Sequence, residues 1–210
     1  MIMKTILFQG DSITDAWRRR DESDDCYCLG SGYPVFINAE LGCRAPGQFY
    51  CQNRGVGGNR SLDMLQRWNH ECIALKPDYV SIMIGVNDVW HEIDYKNGVP
   101  ADRYEAFLAM MIEDVQTKLP QTKIILMTPF VTHGTVTDAH WDYFRSEIDA
   151  RIAIVEKLAE KYNLTCVQLQ KAFDDALAIA PADTWTLEGV HPTSAGHKLI
   201  ADAWLNAFQI

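Results

Sequence analysis

The chain is short of most features that mark specialised protein classes. Over 210 residues it has no apolar run long enough to span a bilayer, and its start, Met-Ile-Met-Lys-Thr-Ile-Leu-Phe-Gln-Gly-Asp, turns polar too soon for the hydrophobic region of a signal peptide. A cytoplasmic protein is the expectation. Basic residues are scarce: 19 Lys and Arg face 28 Asp and Glu, a formal charge of −9. A surface with that balance repels phosphate backbones and anionic lipid, which disfavours nucleic acid and membrane partners. Glycine and proline are modest, at 13 and 8, and no stretch reads as a linker, a repeat or a low-complexity tract. With 48% hydrophobic residues, the chain can bury a sizeable core as a single domain over residues 1–210.

Sequence motifs of several chemistries are missing as well. The six cysteines (26, 28, 43, 51, 72 and 166) read as reduced thiols rather than a disulfide framework. Cys26-Tyr27-Cys28 lacks the two-residue gap and the second Cys/His pair of a zinc site. Gly10-Asp11-Ser12-Ile13-Thr14 lacks the second glycine of the G-x-S-x-G elbow, so an ordinary α/β-hydrolase arrangement is set aside. Gly55-Val56-Gly57-Gly58-Asn59-Arg60 misses the last glycine of G-x-G-x-x-G, and there is no G-x-x-x-x-G-K-[ST]. His70-Glu71 and His91-Glu92 each lack the second histidine of a metalloprotease helix. A phosphate after the first strand would sit beside Asp11 and Asp15, which is electrostatically poor. No metal and no other cofactor is expected.

What the chain does have is regular alternation of strand-like apolar runs and helical periods, the pattern of one α/β unit with a parallel sheet. Candidate strands are Thr5–Gln9, Phe49–Asn53, Tyr79–Ile84, Lys123–Thr128 and Thr165–Leu169, mostly continuous hydrophobic runs of the kind covered on both faces. Between them, Tyr104, Phe107, Leu108, Met111, Ile112, Val115 and Leu119 share one helix face. Phe144, Ile148, Ile152, Val155 and Leu158 form a second such face, and Leu199, Ile200, Ala203, Trp204 and Phe208 a third. This predicts a three-layer α/β/α domain with a doubly wound five-stranded parallel sheet in the order 2-1-3-4-5. Ligands then bind beyond the carboxyl ends of the strands.

The segments after the strands are the unusual ones. Gly10-Asp11-Ser12-Ile13-Thr14-Asp15 follows the first, Asn53-Arg54-Gly55-Val56-Gly57-Gly58-Asn59 the second and Gly85-Val86-Asn87-Asp88 the third, while Glu188-Gly189-Val190-His191-Pro192 stands near the end. Singly, each is explained by turns and helix caps. Together they bring a hydroxyl, backbone donors, a side-chain amide and an imidazole to one sheet edge, the minimum set for acyl transfer.

These four blocks, in this order and from Gly10 to Pro192, resemble the SGNH (GDSL-type) esterases and lipases. The resemblance implies Ser12 as nucleophile and His191 as base, with Ser12, Gly58 and Asn87 donating to the oxyanion; Gly57 stands one residue from the Gly58 assignment. The family normally places Asp three residues before the histidine, and here that position is Glu188. Glu188 is the candidate for the third triad member, with Asp183 or a backbone carbonyl as the alternatives. Pro192 and Thr193 suit the start of the last helix, which would set His191 on a loop leaning over the serine.

Trp90 and His91, just past Asn87, are candidates for a wall around the acyl group or a sugar ring. His133, His140 and Trp141 could border the cleft, whereas His70 and His197 fall on helices as structural residues. Trp17 and Arg18-Arg19-Arg20 run into Asp21-Glu22-Ser23-Asp24-Asp25 and suit a solvated, self-compensating surface. The block Ile82 to Trp90 resembles intracellular bacterial carbohydrate acetylesterases, including those acting on xylo-oligosaccharides. That resemblance implies a short-chain esterase, a small-molecule or oligosaccharide ester as partner, and a homo-oligomer. The alternatives are a thioesterase or lysophospholipase of the same family and a non-catalytic carbohydrate-binding relative.

Overall fold

A computed structural model describes residues 3–20 and 26–208. Five strands, β1 (Lys4–Gly10), β2 (Phe49–Asn53), β3 (Tyr79–Met83), β4 (Lys123–Met127) and β5 (Thr165–Val167), pair in parallel in the order β2-β1-β3-β4-β5. The expected doubly wound sheet is therefore present. The helices are α1 (Ser12–Asp15), α2 (Tyr33–Arg44), α3 (Ser61–Glu71), α4 (Val86–Tyr95), α5 (Ala101–Lys118), α6 (Trp141–Tyr162), α7 (Leu169–Leu177) and α8 (Ser194–Ala207).

Strand periodicity decides which side chains meet which helices. On one face Ile6 and Phe8 of β1, Met83 of β3 and Ile125 and Met127 of β4 pack with Tyr33, Ile37 and Leu41 of α2, Phe173 of α7 and Trp204 of α8. On the other, Leu7, Val80, Ile82, Ile124 and Leu126 pack with Met64 and Trp68 of α3 and the apolar stripe of α5. The long α6 serves both, through Phe144 and Ile148 on the first face and Val155 and Leu158 on the second. Within this core the fully buried Trp204 donates its Nε1–H to Ser81 Oγ at 3.0 Å. Such a pairing offsets the cost of burying an indole N–H. The buried Trp68 Nε1–H on the other face has no acceptor among the described residues.

β3, β4 and β5 end earlier than their hydrophobic runs suggest, whereas β2 ends with its run and β1 continues one residue further, to Gly10. The run to Leu169 overshoots β5 because Leu169 begins α7, its N–H capped by Thr128 Oγ1 at 2.8 Å. Thr128 itself lies beyond β4, its N–H donating to Val167 O. The runs continue past β3 and β4 because Ile84 and Thr128, the first residues of the next segments, are buried too.

Among the described residues no helix is long and apolar enough to cross a membrane. Because the chain leaves β1 toward β2 on one side and later toward β3 on the other, a crevice opens at the carboxyl ends of β1 and β3. Ser12 is the second residue after β1, and Asn87 is the second residue of the helix after β3.

Candidate active site

Ser12 opens the short helix α1, held by Asp11, whose buried carboxylate accepts the Ile13 N–H at 3.0 Å. Burial pushes the Asp11 carboxyl up to about 7, the Ile13 hydrogen bond and the charge of His191 opposing it. Far along the chain, Thr193 caps α8 by accepting the Gly196 N–H, so His191 sits two residues before the cap of a firmly started helix. Its Nε2 lies 2.8 Å from Ser12 Oγ.

The other ring nitrogen, Nδ1, meets Glu188 Oε1, and the same carboxylate oxygen accepts the His191 backbone N–H at 3.0 Å. A carboxylate can only accept, so the ring proton rests on Nδ1 and Nε2 is left to take the serine proton. Asp183, the alternative partner, is exposed on a 3-10 turn over Ala182–Thr184. The Glu188 hydrogen bond raises the imidazole above its ordinary range against the pull of burial. Burial tends to raise the Glu188 carboxyl, but the His191 hydrogen bonds and charge outweigh it and leave it below its usual value. Side-chain exposures of 36% for His191 and 19% for Glu188 leave the imidazole open to substrate and cover the carboxylate behind it.

Two backbones meet behind Glu188. The loop after β4 donates Val136 N–H to Glu188 O at 3.1 Å and Thr132 N–H to Gly189 O at 2.9 Å. A β-carbon on Gly134 would stand 2.2 Å from the Glu188 carbonyl carbon, and Gly189, at φ +106°, approaches Thr137 equally closely. His133 and Trp141, expected to border the cleft, stack on each other at 3.7 Å on the strand–helix connection that supplies this buttress.

The loop after β2 runs beside β1, with Arg54 N–H donating to Phe8 O and Val56 N–H to Gly10 O. That brings Gly57 to Ser12, where a β-carbon on Gly57 would be 3.9 Å from the serine Cβ. Gly57 N–H donates to Asp15 Oδ2 at 3.0 Å, whereas Gly58 N–H has no acceptor among the described residues. Of the two candidate donors, Gly58 is the one left for a ligand. Next to it, Asn59 O accepts from Asn87 Nδ2 at 3.1 Å, which fixes the amide plane and leaves its second N–H to donate elsewhere.

Trp90, three residues after Asn87 on α4, presents its ring 6.0 Å from that of His191. His91 points elsewhere: its ring meets Tyr95 edge-on at 5.3 Å, and among the described residues it has no hydrogen bond or ring pairing with Ser12, His191 or Glu188. His197 is structural as expected, its Nδ1 accepting the Tyr33 N–H, and burial holds it down to about 4. His70 is exposed on α3.

The arginines after α1 do more than solvate a surface. Arg18 Nε donates to Gly55 O at 2.8 Å and Arg20 pairs with Asp15, tying this segment to the loop that carries Gly58. The acidic run 21–25 lies outside the described residues. Sequence reasoning also passed over Asn53, whose amide donates to Thr14 O and Leu29 O while its carbonyl accepts Gly55 N–H, and Asp88, which accepts from Ser61 N–H and Oγ. Their signal was a polar residue at the end of a buried strand or in the first turn of a helix.

The chain matches the GDSL-like lipase/acylhydrolase family over residues 8–199. It belongs to that family. It is 37% identical to an acetylxylan esterase of Geobacillus stearothermophilus, over 95% of this chain and 91% of the relative. A crystal structure of that esterase superposes with a TM-score of 0.88 at 35% identity, covering 98% and 95% of the two chains. A GDSL-like lipase from Parabacteroides merdae superposes with a TM-score of 0.91 at 36% identity, covering 98% and 97%. The family and these relatives identify the chain as a carboxylic ester hydrolase.

Proposed function

We infer that the protein removes acetyl groups from a carbohydrate such as an acetylated xylo-oligosaccharide, through an acyl-enzyme on Ser12. The observation that carries this reading is the hydrogen-bonded chain from Ser12 Oγ through His191 to Glu188, with Gly58 N–H and the Asn87 amide beside it. The Geobacillus esterase supports it: its structures include catalytic mutants of a serine, a histidine and an aspartate. That serine precedes that histidine by 179 positions, the separation of Ser12 and His191, and the aspartate stands three before the histidine, as Glu188 does here.

In the first half-reaction Ser12 Oγ attacks the ester carbonyl while His191 Nε2 takes its proton. Negative charge grows on the carbonyl oxygen, where Ser12 N–H, Gly58 N–H and Asn87 Nδ2–H donate to it more strongly than to the ground state. Glu188 holds the imidazolium that forms. His191 then returns the proton to the leaving alcohol, and a water activated the same way releases the acid. Trp90, against the imidazole, forms a wall where the alcohol departs.

The test is a product mass spectrum from acetylated xylo-oligosaccharides, beside hydrolysis rates for p-nitrophenyl acetate and octanoate. Loss of acetyl groups and a clear preference for the acetate are expected. An enzyme preferring octanoate, or leaving the oligosaccharides intact, overturns the substrate assignment.

A further inference from the structure

Outside the residues that face the substrate, one cation sits directly beneath the oxyanion loop. Arg67 projects from the middle of α3, three residues after the buried Met64. It uses its planar fork on four acceptors: Nε donates to Asn59 Oδ1 at 2.7 Å, Nη1 to Gln9 Oε1 at 2.6 Å and Arg54 O at 2.9 Å, and Nη2 to Gly10 O at 3.1 Å. These acceptors come from the end of β1, two residues before Ser12, and from both ends of the loop after β2. Gln9 is itself fully buried and fixed from its other side, donating to Glu71 O. All four acceptors are neutral oxygens, so the guanidinium is spent on geometry rather than on a carboxylate partner.

The path from there to the chemistry is short. Asn59 is held by Arg67 through its side chain and holds Asn87 through its carbonyl. Gly58, immediately before Asn59, lies between that anchor and the Asp15 anchor on Gly57. The helix end is pinned separately, by Asp88 accepting from Ser61. We propose that Arg67 is a positioning residue of the oxyanion hole, acting through Asn59 to set the Gly58 N–H and the Asn87 amide relative to Ser12. Burial lowers the guanidinium only to about 10, so it keeps its charge and all its donors at neutral pH.

The proposal rests on the site reading above, and a double-mutant cycle separates the two. Kinetics of p-nitrophenyl acetate hydrolysis are measured for Arg67→Met, Asn87→Ala and the double variant. Arg67→Lys serves as the conservative variant, keeping the charge and part of the hydrogen bonding. Arg67→Met is expected to lower kcat by about 10- to 100-fold with KM nearly unchanged, since a loosened donor matters only when the oxyanion forms. Arg67→Lys should recover part of that loss. In the Asn87→Ala background, Arg67→Met should cost less than it does alone, because two residues acting through one element do not add. The acidic limb of the pH profile should stay where it is in the unsubstituted enzyme, since Arg67 does not touch His191.

If Asn87→Ala is slow but Arg67→Met is not, or if the two losses are additive, the positioning role is wrong and the site reading stands. If Asn87→Ala keeps full activity, both fail. If Arg67→Met does not fold, Arg67→Lys alone decides: an unchanged kcat overturns the proposal, and a reduced kcat at constant KM supports it.

Discussion

At the scale of the residue, the proposed site is one hydroxyl, one imidazole and one carboxylate whose separations suit proton transfer. Ser12→Ala removes the hydroxyl but not the Asp11 cap on α1, so esterase activity should vanish while the melting temperature stays within a few degrees. An organophosphonate should label the wild-type protein at Ser12, and a label mapped to another serine would refute the nucleophile. His191 must be neutral to act, and the Glu188 hydrogen bond raises it, so kcat/KM should fall as pH drops through a midpoint above the ordinary ~6.5. Glu188→Gln removes the source of that rise. Its midpoint should move down and its rate fall by roughly 10⁴, the loss on turning a triad acid into its amide, while Glu188→Asp should keep the raised midpoint. An unmoved limb in the glutamine variant would show that another group tunes the imidazole.

At the scale of the element, loops position these residues, and loops were the least legible part of the sequence. Ser12, Asn87, Glu188 and His191 could be found because each belongs to a short block of unusual residues directly after a strand or before a helix. Trp90 lies beside the His191 ring because three residues along α4 return to the face of Asn87. His91, one residue further, is turned by about a quarter of the helix circumference and meets Tyr95 instead. The braces were not legible: Asp15, Asn53 and Arg67 act on backbone carbonyls and N–H groups, which every residue carries and no pattern marks. Gly134 belongs with them, since nothing in the sequence says that Glu188 will pass against it. A methyl there meets backbone that cannot step aside, so Gly134→Ala should lower kcat at least about tenfold through displacement of the Glu188–His191 loop. Measured well below the variant's melting temperature, an unchanged kcat would show that the loop yields freely. The α1 cap carries a pH signature of its own. Asp11 titrates near 7 when folded against 3.8 ordinarily, so between those values the folded protein holds a proton that the unfolded chain has released. Stability from this group is therefore lost as pH rises through that window. Asp11→Asn keeps an acceptor for Ile13 N–H without the charge, and its melting temperature should gain on the wild type's from pH 5 to pH 8. A constant difference would place the burial cost elsewhere.

At the scale of the whole molecule, the alternation of apolar runs was enough to forecast the layers and strand order, because a parallel sheet covered on both faces writes its burial directly into composition. Pairing partners inside the core were not forecast, the Trp204–Ser81 hydrogen bond among them, since they depend on which residues of distant segments come level. The same long-range arrangement has a kinetic side. The hydrogen bond between Ser12 and His191 closes a loop of 179 residues, from the first strand to the turn before the last helix. Helices and neighbouring strands can form from contacts closer in sequence, whereas this one waits until both ends of the chain have docked. Hydrolytic activity should thus be among the last signals to return after dilution from denaturant, trailing the far-ultraviolet signal of the helices. Synthesis on a ribosome imposes the same order: the nucleophile emerges well before the base, and it stays inert until the segment carrying His191 has been made.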